Sequence, residues 1–134
     1  MSNEEKKKYL MQYQMAKKRV ALLQEQIDAL RNDQTSPVGL GDGMPHGSTL
    51  SDLSTYAAQL DELQRKQKKE IALQMVLYQE ILQHIEQLSN KAEKEVLTRR
   101  YLIGQHWYKI KEEMGYSYRH IVRLHGQALK NFSL

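Results

Sequence analysis

Residues 115–132 read GYSYRHIVRLHGQALKNF. Ile121, Leu124, Ala128 and Phe132 recur at spacings of three and four, the rhythm of a helix with one apolar face. Gly115 is placed to turn the chain and Ser117 to cap the helix that follows, its hydroxyl accepting an early backbone N–H. With Ile121 facing inward, Tyr118, Arg119, Val122 and Arg123 fall on the outward side near the helix N-terminus. Gly126 lies inside the same helix, where glycine costs about 1 kcal/mol relative to alanine. Nothing in the sequence accounts for it.

The preceding residues supply partners for this helix. Asn90 followed by Glu93 has capping-box spacing, in which the Asn side chain accepts an early N–H and the Glu reaches back. A helix is therefore expected from Lys91 to about Leu102, stopped by Gly104, with Ala92, Val96, Leu97 and Tyr101 on its apolar face. Trp107, Ile110 and Met114 mark a further short helix. Two short helices joined by a turn containing glycine make a helix-turn-helix, whose second helix enters the major groove of DNA.

Charge points the same way. Residues 91–134 carry 9 Lys+Arg against 4 Asp+Glu, whereas residues 1–90 carry 11 against 12. The positive excess of the chain, +4 overall, thus sits in the last third, the polarity expected when one end meets a polyanion.

The first ninety residues are built differently. Tyr9, Tyr13, Ala16, Val20, Leu23, Ile27 and Leu30 keep an alternating four-three spacing, the seam of a helix over residues 1–32 that packs on another helix. Residues 33–50 hold four of the seven glycines and both prolines and read as a loop. A phosphate-binding loop does not fit there: Gly43 and Gly47 are separated by three residues and no lysine follows. Residues 51–88 then form a second long helix with Leu53, Ala57, Leu60, Gln64, Gln67, Ile71, Gln74, Tyr78, Ile81, Ile85 and Leu88 along its seam. Glutamines at seam positions weaken packing but fix register. Folding back on the first helix gives a coiled-coil-like hairpin, and a two-helix hairpin buries too little by itself, so self-association into a homodimer or higher oligomer is expected.

The stretch EVLTRRYLIGQHWYKIKEEMGYSYRHIVRLHGQALKNF resembles region 4 of bacterial sigma factors. Val96-Leu97, Arg100-Tyr101, Gly104, Ile110, Met114-Gly115-Tyr116-Ser117, Ile121 and Ala128-Leu129 follow that family's order and spacing. His106 stands where the family has Ser or Thr, and Lys109-Ile110-Lys111 where it has Glu-Ile-Ala. The chain as a whole is similar to the small phage and prophage transcriptional activators of the ArpU and RinA type. These resemblances imply an all-α chain in two parts, with residues 89–134 as the DNA-binding domain. They also imply sequence-specific binding of double-stranded DNA in transcription control, and Tyr118, Arg119, Val122 and Arg123 match the base-reading positions. Arg99, Arg100, Lys109, Lys111, Ser117, His120, Gln127 and Lys130 make up the expected backbone-contacting set. RNA polymerase is a second expected partner through the same resemblance, and an adaptor for it, or a structural coiled-coil protein without DNA affinity, are the alternatives.

Other chemistry finds no support in the sequence. Glu112 and Glu113 are adjacent and diverge on a helix, and no nucleophile motif is present, so no catalytic residue and no enzyme activity is expected. His120 and His125 are five apart, off the spacing of a helical metal pair, and the chain has no cysteine; neither metal nor cofactor is expected. The runs Lys6-Lys7-Lys8 and Lys17-Lys18-Arg19 read as solvated helix surface. With no apolar run long enough for a membrane span and no apolar leader after MSNEEKKKYL, the expected location is the cytoplasm of a bacterial host cell.

Overall fold

The computed structural model describes residues 1–35 and 49–134, and the protein is all-α. Its helices are α1 (Asn3–Thr35), α2 (Thr49–Glu86), α3 (Lys91–Leu97), α4 (Trp107–Met114) and α5 (Tyr118–Asn131), with a π-helical segment, Thr98–Ile103, following directly on α3. The Gly43–Gly47 stretch weighed as a phosphate loop lies outside the described residues. No helix among the described residues is long and apolar enough to cross a membrane.

The chain divides into two compact units, residues 1–17 with 73–134, and residues 18–72. In the smaller unit α1 and α2 run antiparallel: Arg19 Nε donates to Glu70 Oε2 at 3.0 Å, and Gln67 Nε2 to Gln24 Oε1 at 2.7 Å. Ile27 is buried between them, and Val20, Leu23, Leu30, Leu60 and Leu63 are half-buried. Gln67 is one of the seam glutamines, and there its amide bonds across to Gln24 in an exposed contact. The expected seam of α2 is not buried throughout, for Leu53, Ala57 and Ile71 are exposed.

The larger unit departs from the sequence-based segmentation. The first turns of α1 and the end of α2 share one core with α3, the π-helical segment, α4 and α5, so residues 89–134 are only part of that unit. Leu10, off the predicted seam, is completely buried in this core beside Ile81, Ile85, Val96, Ile121 and Phe132. Ser2 and Glu5 start α1 with reciprocal bonds, Glu5 N to Ser2 Oγ at 3.2 Å and Ser2 N to Glu5 Oε2 at 3.1 Å, a capping box. Further on, Lys6 Nζ donates to the carbonyls of Leu129 (2.8 Å) and Lys130 (3.3 Å). A cation at the carbonyl end of α5 satisfies orphan acceptors and opposes the negative end of its dipole.

The segment after α3 also differs from a simple helix. Gly104 N and Gln105 N both donate to Arg99 O, at 3.0 and 2.9 Å, so the backbone closes over five and six residues instead of four. Gly104 ends it with φ +85°, and a Cβ there would stand 2.8 Å from Gln14 Oε1. That same glutamine donates from Nε2 to Tyr101 O at 2.9 Å, supplying a partner for a carbonyl that the widened turn frees. The left-handed backbone is what calls for glycine at 104, since the Gln14 side-chain end that a Cβ would meet can shift. At Asn90 the predicted cap is present, Oδ1 accepting from Glu93 N at 3.0 Å, but Glu93 does not reach back. Its carboxylate is buried and accepts from Asn131 Nδ2 at 2.9 Å, tying the first turn of α3 to the end of α5.

Truncating Leu10 to Ala removes a fully buried side chain, with an expected loss of about 2–5 kcal/mol. Denaturant unfolding followed through Trp107 emission tests this, because an N-terminal helix that merely extends away from the C-terminal helices gives no change at that probe. A loss below about 0.5 kcal/mol contradicts the shared core.

Candidate nucleic-acid interface

Helix α5 owes its orientation to both glycines and caps. Gly115, with φ +71°, ends α4, and its N–H donates to Lys111 O at 2.9 Å. Ser117 then takes an extended backbone and its Oγ accepts from His120 N at 3.2 Å, starting α5 as the sequence predicts. The inner face of α5 consists of Ile121, His125, Ala128 and Leu129, with Phe132 just beyond its end; Leu124 is only half-buried. The inward stripe is thus shifted from the 121-124-128-132 line toward His125 and Leu129, because α5 is covered from the α1 side as well as by α3 and α4.

Opposite this stripe, Tyr118, Arg119, Val122 and Arg123 are all exposed. Among the described residues neither Arg119 nor Arg123 forms an ion pair or a hydrogen bond, so their guanidinium groups keep their full donor capacity. Positions 119 and 123 stand one helical turn apart on one side, with Val122 beside them.

The expected backbone-contacting residues do not form one equivalent set. Arg99 is half-buried, its Nε on Glu95 Oε2 at 2.7 Å and its Nη1 on Gln105 Oε1 at 3.4 Å. Arg100 donates from Nη1 to Gln105 O at 3.1 Å, and its guanidinium lies 4.7 Å from the Trp107 ring centroid. Lys109 pairs with Glu113 at 3.0 Å, and this pairing holds the Glu113 carboxyl below its usual range. Lys111 Nζ reaches Glu112 at 3.3 Å and sits 5.3 Å from the Tyr108 ring. His120 stacks on Tyr116 with centroids 4.3 Å apart, and the Ser117 hydroxyl is engaged as the cap. Gln127 and Lys130 are exposed on α5. Of the basic members, then, Lys130 has a side chain without a partner among the described residues, whereas the two arginines also hold the local fold together.

His125, off metal-pair spacing in the sequence, has a structural place in the core. It is buried, its Nε2 lies 2.8 Å from Tyr101 Oη, and Trp107 meets its ring edge-on at 4.7 Å. Burial lowers its pKa to about 4, aided by the nearby Lys7 and Arg100 charges, so the imidazole is neutral at pH 7. Burial also raises the Tyr101 phenol to about 12. The two rings thus share one neutral hydrogen bond under the face formed by Tyr118 and Val122. A helix-wheel reading places position 125 at the margin of the apolar stripe, one step from Leu124. The Tyr101 and Trp107 rings, together with the nearby start of α1, make it interior.

Gly126 is the remaining feature of α5. It has helical φ, and a Cβ added there meets nothing within 4 Å, so the fold itself sets no steric demand for glycine. Its position continues the Arg119–Arg123 side of the helix.

Comparison with models of known protein families, with curated proteins and with solved structures finds no match for this chain.

Two expectations follow from this geometry. Because the folded-state pKa of His125 lies below the ordinary value of 6.5, the unfolded chain binds the extra proton first. Stability is therefore complete above about pH 6.5 and declines as pH falls toward about 4. Melting temperatures between pH 6.5 and 5, where ordinary carboxylates are still ionised, are expected to fall for the native chain and to flatten in His125→Gln; equal slopes contradict a buried neutral imidazole. Gly126→Ala is expected to stabilise the fold by about 0.4–1 kcal/mol, measured by denaturant midpoint at constant slope.

Proposed function

We propose that this chain is a sequence-specific double-stranded DNA-binding regulator of transcription, an activator of phage or prophage genes, in which α4, the Gly115 turn and α5 act as a sigma region 4-like helix-turn-helix. The observation that carries this reading is the uncommitted pair Arg119 and Arg123 on the exposed face of α5, one turn apart and flanked by Tyr118 and Val122. The cations of Arg99, Arg100, Lys109 and Lys111 all have protein partners. Two arginines left unpaired on a capped helix suit bidentate contacts to the O6 and N7 acceptors of guanine in the major groove. Val122 between them suits a thymine methyl. Positive charge concentrated in residues 91–134 supports the same partner, since phosphate contacts supply most of the affinity and make it salt-dependent.

In this reading the N-terminal helices form a coiled-coil-like hairpin that brings two or more copies together, so that paired reading helices meet repeated half-sites. Supporting this, the unit of residues 18–72 keeps Leu22 and Leu53 largely exposed, at 58% and 55%. Apolar side chains of this size gain stability when a second copy covers them.

The test is selection of bound duplexes from a random DNA pool, followed by titration of the recovered sequence with Arg119→Ala and Arg123→Ala. Each loses a bidentate contact worth about 1–3 kcal/mol, so affinity is expected to fall roughly 5- to 150-fold at unchanged melting temperature. Affinity of the native chain is expected to fall steeply as salt rises. Recovery of no enriched sequence, or full affinity in both variants, overturns the reading.

A further inference from the structure

A cavity of about 390 Å³ opens between the start of α1, the π-helical segment, the start of α4 and the exposed face of α5. Its walls are of two kinds. Met11, Trp107, Tyr118 and Val122 supply apolar and aromatic surface, and Lys7 and Arg100 supply positive charge. The remaining lining groups, the hydrogen-bonded Tyr101 and His125, add no charge: both are neutral at pH 7 for the reasons given above. Among the described residues the carboxylate that pairs with a lining cation is Glu4, whose 3.1 Å contact with Lys7 is between exposed side chains and is readily exchanged for another anion.

The Arg100 guanidinium is already oriented, by Gln105 O at 3.1 Å and by the Trp107 ring beneath it, and it retains further N–H donors. A fixed fork of donors beside flat rings matches a planar anion. The volume lies at the small end of ligand sites, enough for a single-ring or fused-ring molecule. A bare phosphate would engage the cations and leave the aromatic walls unfilled, while an uncharged ring would leave the remaining donors of Arg100 and Lys7 unused.

We propose that this cavity binds a small aromatic carboxylate, its ring against Trp107 and Tyr118 and its carboxylate on Arg100 and Lys7. Because Tyr118 and Val122 also belong to the face assigned to base reading, an occupied cavity competes with DNA; this consequence, unlike binding itself, rests on the function proposed above.

Trp107 is the only tryptophan of the chain, so its emission reports directly on the cavity. The full chain is titrated with benzoate as probe, and with benzamide and inorganic phosphate for comparison. A saturable change in emission is expected with benzoate, about tenfold or more weaker with benzamide and in Lys7→Gln and Arg100→Gln, as the loss of a charge-assisted hydrogen bond implies. Lys7→Gln changes only a surface side chain, so the result stands even where Arg100→Gln disturbs folding. A linear, unsaturable response to benzoate, or equal affinity for benzoate, benzamide and phosphate, overturns the site. The selected duplex separates the two proposals. Displacement of the duplex by benzoate supports competition, and simultaneous binding overturns it. Duplex binding with no benzoate response overturns the cavity and leaves DNA binding standing; a benzoate response without any duplex affinity supports the cavity and overturns DNA binding.

Discussion

The completely buried side chain of Leu10 joins the two ends of the sequence. It lies in one core with Ile121 and Phe132, more than a hundred residues away, and the C-terminal helices have no complete interior without it. Short helices of seven, eight and fourteen residues are marginal in water and hold their shape only through tertiary burial. The first turns of α1 provide that burial, and Lys6 adds a cation on the terminal carbonyls of α5. By magnitude the apolar term dominates: burying a leucine contributes about 1.5–3 kcal/mol, against about 0.3–1 kcal/mol for a charge at a helix end. The charge fixes position where the leucine fixes stability.

The same docking explains the irregular stretch before α4. A backbone that closes over five or six residues leaves carbonyls without helical partners, and buried carbonyls of that kind are costly unless another donor reaches them. Gln14 reaches Tyr101 O, its amide passing close to Gly104. Arg99 and Arg100 emerge from this widened segment already committed to Glu95, Gln105 and Trp107. Their charge still contributes to the positive field of the C-terminal third, but their donors are divided between fold and surface. Arg119 and Arg123, on a regular capped helix, carry no such commitment. Two pairs of arginines with the same chemistry are thereby sorted by local backbone geometry.

The buried Tyr101–His125 bond connects these features. It ties the π-helical segment to α5 from beneath, and Trp107 closes it from the side of α4. A neutral hydrogen bond between aromatic groups orients three elements without placing an unpaired charge in the core, which would cost several kcal/mol. Its pH sensitivity is the accompanying consequence, since protonating His125 places a charge beside Lys7 and Arg100.

Much of the local structure was written in the sequence. The caps at Asn90 and Ser117, the turns at Gly104 and Gly115, the seam of α1 from Tyr13 to Ile27 and the outward placement of Arg119 and Arg123 all follow from short-range rules of hydrogen bonding, backbone sterics and helical period. What depended on the fold was every feature requiring contact across the chain: Leu10 in the core, Glu93 turned to Asn131 instead of back to its own cap, His125 and Leu129 buried in place of Leu124, and the half-buried arginines. A helical period reveals which residues share a face but not how many neighbours cover it. Here α5 is covered from two directions, and the second cover comes from the opposite end of the sequence, where no local pattern announces it.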